Sequence, residues 1–210
     1  GVTGESGALA MLLSACGVPA GLSMVILAGS ELFTGNCLMV MALLERRITP
    51  AQLLRNWLTV YLGNAVGGAA VAALAVYSHT ASLFGDGLAR SMVSIAESKA
   101  ALGAGDAFLR GVLCNFLVCL AVWMAAASKR AEGKVIALFF PILLFVLCGY
   151  EHCIANLYYL PAGAFAAAEY GMETTLTLAG CLKNLAAVTL GNLVGGAALG
   201  VGYRFAYLKE

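Results

Sequence analysis

Charge is what this sequence has least of. Charged residues are 11% of the 210, hydrophobic residues are 61%, and mean hydropathy is +0.90, whereas a soluble domain carries about a quarter charged residues. A single soluble core could not hide so much apolar surface, so composition points to one bundle of membrane-spanning helices. The formal net charge of +1 argues against a nucleic-acid partner. Cysteine is present, but never in CxxC pairs. The seven (Cys16, Cys37, Cys114, Cys119, Cys148, Cys153, Cys181) are odd in number and sit in apolar runs, which fits small packing residues better than zinc or redox sites. Histidine is scarcer: there are two, and His152 is the one in the apolar core. Neither metal-binding spacing of the HExxH type nor the paired NPA signature of water and glycerol channels occurs. No cofactor and no metal are expected, and Gly1 does not open on the charged n-region of a signal peptide, so the expectation is that the sequence begins inside something.

What is present is a run of apolar stretches near 7–28, 36–44, 56–78, 107–128, 134–149, 153–168 and 180–207. A full span needs about 20 apolar residues, and runs of ten to fourteen suit broken or re-entrant segments. The interruptions are AGSELFTGN around residues 28–36 and GYEHCIAN around 149–156. Each puts a carboxylate and an Asn at bilayer depth, which is tolerated only against protein or a water-filled cavity.

The halves repeat. Residues 62–70 read LGNAVGGAA and residues 190–198 read LGNLVGGAA, a shift of 128. The interruptions align at a shift of 120, Gly29 with Gly149, Glu31 with Glu151 and Asn36 with Asn156. This is an internal duplication, within one channel domain over 1–210: a first repeat at about 1–78 and a second at about 106–208. The first helix of the second half, 107–128, has almost no counterpart in the first. The expected native protein therefore has six spans with its first helix missing here, five spans being the alternative.

Positive charge collects on one set of links, Arg46, Arg47 and Arg55, then Lys129, Arg130 and Lys134, then Arg204 and Lys209. The other set, with Glu5, Asp86, Arg90, Glu97, Lys99, Asp106, Glu169 and Glu173, is net acidic. The positive-inside rule assigns the first set to the cytoplasm. Three spans per half then require the copies to insert upside down relative to each other, as in many transporters, with the substrate site where the broken helices meet. Gly63, Gly67 and Gly68, with Gly191, Gly195 and Gly196, read as close helix packing. Asn64 and Asn192 read as interhelical hydrogen bonds, and Glu31 and Glu151 as caps for backbone N–H groups freed by the breaks.

The segments AGSELFTGN, NWLTVYLGN, GVLCNFLVCLAVWMA, GYEHCIANLYYLPAG and VTLGN, in this order, resemble the formate/nitrite transporter family, whose members include formate, nitrite and hydrosulfide channels. The similarity runs from about Gly7 to the end. It implies an all-α, aquaporin-like membrane protein of two three-helix units with two broken helices, a homopentamer with one pore per protomer, embedded in the lipid bilayer of the cell inner (plasma) membrane. Carried over by position, the central pore Thr is Thr34, the central His is His152, the pore Asn is Asn115 and the outer-vestibule Lys is Lys99. Constrictions fall on Leu22, Leu32 and Phe145. Val18 stands where many relatives have Phe, a smaller side chain that could widen that gate.

The chemistry is coherent with those positions. An anion entering a dry constriction loses hydration worth many kcal/mol, while the neutral acid passes far more easily. An imidazole, with an ordinary pKa of about 6.5, can give a hydrogen bond or a proton. The expected function is a channel for formate, nitrite or hydrosulfide, with Lys99 gathering the anion, Thr34 and Asn115 holding it, and His152 protonating it. The alternative is an aquaporin-like channel for small neutral solutes. An intramembrane Cys/His enzyme built on Glu151, His152 and Cys153 is disfavoured, because adjacent residues rarely face one another.

Overall fold

The computed structural model describes the backbone of residues 4–207 and the side chains of residues 15–207. Among the described residues there are helices and no strand. They are α1 (Gly4–Ala28), α2 (Phe33–Asn36), α3 (Val40–Leu44), α4 (Pro50–Tyr77), α5 (Gly87–Ala101), α6 (Ala104–Ala127), α7 (Ala131–Leu147), α8 (Cys153–Glu169) and α9 (Leu178–Tyr207). Helices α4, α6 and α9 are each long and apolar enough to cross a membrane. A further span is bent by 64°, Ala15–Ala28 meeting Phe33–Leu44 across a short break. Glu5 and Lys209 lie outside the described side chains.

Local sequence explains where these helices start and stop. Thr49 accepts the Gln52 N–H at 3.3 Å while the Gln52 side chain accepts the Thr49 N–H at 2.8 Å, and Pro50 follows. This capping box with proline in the first turn starts α4 just past the Arg46–Arg47 turn. At the other kind of boundary, α1 and α7 both run out into a glycine with positive φ, Gly29 at 73° and Gly149 at 64°, a conformation that costs glycine nothing.

Packing is tightest between α6 and α9. A Cβ on Gly191 would run into the Phe108 carbonyl, and one on Gly195 into the Val112 carbonyl. The bare Cα atoms are thus what lets the two backbones touch, as expected for small-xxx-small spacing in a membrane bundle. By contrast α4 turns Leu54, Leu58, Leu62 and Val66 outward, all more than half exposed.

The duplication reappears as hydrogen bonds. The Phe33 N–H donates to Asn64 Oδ1 at 3.1 Å, and the Cys153 N–H to Asn192 Oδ1 at 2.9 Å. Asn64 Nδ2 donates to the Glu31 carbonyl at 3.1 Å, and Asn192 Nδ2 to the Glu151 carbonyl at 3.0 Å. Asn36 donates to the Glu31 carboxylate and to Asn56, as Asn156 does to Glu151 and Asn184. Four matched bonds between matched residues show that the repeat extends from sequence to the geometry of both breaks.

The link over residues 79–106 is more ordered than a loop. Within it α5 buries Ala89, Met92, Val93, Ala96 and Ala100, an i, i+3, i+4, i+7 stripe. That stripe packs on α8, where Gly163 leaves room for Ala96 and the Met92 carbonyl. The same helix carries Lys99 to the site.

Candidate functional site

Both breaks converge on the centre of the bundle. The freed N–H groups of Phe33 and Cys153 are taken by Asn64 and Asn192, not by the glutamates. Burying them unpaired would cost about 1–3 kcal/mol each, so the two asparagines hold the broken ends in place. Asn192 is fully buried and also donates to the Gly111 carbonyl at 2.8 Å. The Glu31 and Glu151 carboxylates serve side chains instead. Glu151 accepts from Lys99 Nζ at 2.9 and 3.1 Å and from Asn156 at 2.7 Å.

The residue after Glu151 is the N-cap of α8. His152 Nδ1 accepts the Ala155 N–H at 3.1 Å, and His152 Nε2 lies 3.0 Å from Thr34 Oγ1. An imidazole nitrogen that accepts a backbone N–H carries no proton, so the neutral ring is protonated on Nε2. Nε2 therefore donates to Thr34, whose own hydroxyl proton is left free to donate elsewhere. Phe145 stacks on the imidazole with centroids 5.9 Å apart and planes 20° apart. Behind Thr34, its carbonyl accepts from Asn115 Nδ2 at 3.2 Å and from the Cys119 thiol at 3.3 Å, and Asn115 also donates to the Asn192 carbonyl at 2.7 Å. Gly196 of α9 makes room for that knot, since a Cβ there would strike Asn115 Nδ2 and Cys37 at 2.5 Å.

Two cavities meet at this ring. One, of about 300 Å³, is lined almost wholly by apolar side chains including Leu22, Val25, Leu32, Val118 and Ile142. The other, of about 530 Å³, is more polar and carries Ser94, Ser98, Lys99, Arg110, Glu151 and Tyr159. Val18, Phe145, His152 and Ala155 line both. The wall between a more polar chamber and an apolar one is thus made of two apolar side chains, one methyl and one imidazole.

Seven of the eight residues singled out from sequence fall within this arrangement as linings or as the hydroxyl bonded to one. Leu22 and Leu32 line the apolar chamber, Lys99 the polar one and Val18, Phe145 and His152 both, and Thr34 is tied to His152. Asn115 stands apart. Like Thr34 it is fully buried and lines neither cavity, but it touches no lining side chain of the pathway and reaches Thr34 through the backbone carbonyl. Lys99 is bound by Glu151 and lies over the Tyr159 ring at 5.5 Å. Sequence reasoning passed over Arg110, which lines the polar chamber, and Cys119; neither stands in a repeated motif that would mark it. No cluster of His, Cys, Asp and Glu able to hold a metal occurs among the described residues.

Comparison with known proteins agrees with this architecture. Residues 1–206 match the family described as formate/nitrite transporter. A probable formate transporter of Methanothermobacter thermautotrophicus is 39% identical over 208 residues, covering 91% of this chain and 73% of that protein. The formate channel FocA of Haemophilus influenzae is 39% identical over 199 residues, covering 88% and 70%. Among solved structures, a pentameric formate channel with formate bound superposes with a TM-score of 0.85 at 31% identity, covering all of this chain and 88% of that one. An FNT family ion channel gives 0.84 at 34% identity, covering 93% and 77%.

Proposed function

The chain belongs to the formate/nitrite transporter family and is a multi-pass membrane protein of transport type, and from that premise we propose that it conducts small monovalent anions of weak acids, formate, nitrite or hydrosulfide, with protonation at His152. The observation that carries this is the shared wall of the two chambers, where a single imidazole, hydrogen-bonded to Thr34, interrupts an otherwise apolar ring.

The anion enters the polar chamber, where the Lys99 ammonium offers a donor. It then meets the ring of Val18 and Phe145, beyond which the walls supply little to replace water. Here the anion meets the His152 imidazole, which the Thr34 hydroxyl behind it orients, with Asn115 and Cys119 holding the Thr34 backbone in place. Loading a second proton onto His152 must break the bond from the Ala155 N–H, since Nδ1 cannot be both donor and acceptor there. The doubly protonated ring is therefore the less stable form and passes its proton readily to a bound conjugate base. The neutral acid crosses the apolar chamber, past Leu22 and Leu32, without the desolvation penalty of a charge.

The remaining parts of the proposal follow the family. The protomers form a homopentamer in the cell inner (plasma) membrane, each with its own pore. The two repeats are inserted in opposite directions, with basic links in the cytoplasm. The test is flux into proteoliposomes of formate, nitrite and hydrosulfide across a pH series, with water and glycerol as controls. Uptake of at least one anion that rises as pH falls, with neither control moving, is the expected result. Glycerol or water flux without anion flux would instead make this a neutral-solute channel and defeat the proposal.

A further inference from the structure

The wall of the polar chamber carries two cations, Lys99 and Arg110, against one carboxylate, Glu151. With His152 neutral, this leaves one net positive charge. Its location follows from the pairing. Lys99 Nζ is held by both oxygens of Glu151 at 2.9 and 3.1 Å, with side chains 16% and 7% exposed. At any distance larger than the pair itself, the two charges cancel. Arg110 has no carboxylate within 4.0 Å among the described residues. Asp106, one turn earlier on α6 and exposed as Arg110 is, makes no ion pair with it, and Glu97 is engaged by Thr174 and Thr175. The Arg110 backbone is itself anchored beside the second break, since its carbonyl accepts the Glu151 N–H at 3.3 Å.

We propose that Arg110 is the residue that draws the anion into the polar chamber, Lys99 serving as a short-range donor whose charge is already spent on Glu151. This deepens the anion-channel reading and rests on it. A concave chamber with low-dielectric walls concentrates the field of an unpaired charge and raises the local concentration of a small counter-ion. One charge acting over about 4 Å in water is worth about a fivefold enrichment, and salt screens it over a Debye length of about 8 Å at physiological ionic strength. Arg110 lies on the wall outside the ring that His152 and Phe145 form, so it acts on capture and not on passage.

The experiment is initial formate uptake by proteoliposomes as a function of formate concentration, for wild type, Arg110→Gln and Arg110→Lys, at about 0.01 M and about 1 M of an impermeant salt, where the Debye length is about 30 and 3 Å. Arg110→Gln is expected to raise the apparent KM about threefold to fivefold at low salt with maximal rate unchanged. The difference should vanish at high salt, and Arg110→Lys should restore the wild-type value. A wild-type KM at low salt in Arg110→Gln overturns the proposal. So does a fall in maximal rate at constant KM, which would mark a structural role. Should the Gln variant not fold, Arg110→Met removes the same charge and is read in the same way. Failure of the broader reading looks different: there the wild type moves none of the three anions.

Discussion

Replacing Asn192 by Leu removes the most heavily used amide at the centre of the bundle and leaves two backbone groups at the second break without a partner. The side chain accepts from the Cys153 N–H at 2.9 Å and donates to the Gly111 and Glu151 carbonyls at 2.8 and 3.0 Å, and the residue is fully buried. Leucine fits the space approximately but strands the Cys153 N–H and the Glu151 carbonyl at the break, while the Gly111 carbonyl loses a second partner and keeps its place in the α6 ladder. Orphaned buried groups cost about 1–3 kcal/mol each in water-soluble proteins. In membrane proteins, side-chain hydrogen bonds average about 0.6 and reach about 1.7, because the unfolded chain in the bilayer finds partners too. Taking about 1–2 kcal/mol for each of the two stranded groups, with about 0.6 kcal/mol for the bond lost at Gly111, gives a loss of about 3–5 kcal/mol. The matched substitution in the other repeat, Asn64→Leu, strands the Phe33 N–H and the Glu31 carbonyl, and should cost less, because Asn64 is only partly buried and holds no third group. Thermal unfolding in detergent, followed by the loss of the monodisperse peak on size exclusion, compares both variants with wild type. Anion uptake should fall with Asn192→Leu beyond what the folded fraction explains, because the start of α8 carries His152. The reasoning is refuted if Asn192→Leu melts no earlier than Asn64→Leu, or if both match wild type.

Substituting His152 by Phe should abolish the rise of uptake at low pH; retention of the wild-type pH profile in proteoliposomes would remove His152 from the mechanism. Gly195→Ala forces a methyl against the Val112 backbone and should destabilise by about 1–3 kcal/mol, outweighing the helix propensity gained, whereas Gly202→Ala on the same helix meets nothing within 4 Å and should melt like wild type. At Glu97, the N–H of Thr175 and the hydroxyls of Thr174 and Thr175 hold the carboxyl below its ordinary value of 4.5. A depressed folded-state pKa contributes order that is fully present above the unfolded value and lost as pH falls through the folded one. Protection of the Thr175 amide, its exchange rate taken against the unprotected rate at the same pH, should therefore fall below pH 4.5, and in Glu97→Ala it should be low already at neutral pH.

Membrane class, the number and place of the breaks, and the pairing of the two halves could all be read from residue order, because each depends on local composition or on residues recurring at a constant spacing. Gly29 and Gly149 mark helix ends by backbone freedom, and a run of apolar residues must leave water whatever it packs on. Even the small-residue stripe on α9 identified a close helix contact, though not that α6 supplies it. The helix α5 was legible in principle from its buried stripe at 89, 92, 93, 96 and 100, but its charged opposite face reads as an ordinary polar link when charge is counted alone.

What only the tertiary structure decided is which groups meet. Glu151 and His152 are neighbours in the chain, yet one faces Lys99, 52 residues earlier, and the other Thr34, 118 residues earlier, and no periodicity encodes either pairing. The same holds for the tautomer of His152, which follows from the Ala155 N–H that it caps, and for Asn115, whose amide reaches Thr34 from behind instead of lining a chamber. Lys99 keeps its charge in any sequence count, but its contribution to a distant anion depends on whether a carboxylate lies beside it. A charge, a hydrogen bond and a cavity wall are properties of pairs separated in the chain, so residue order determined the scaffold and the fold alone decided where its polarity is spent.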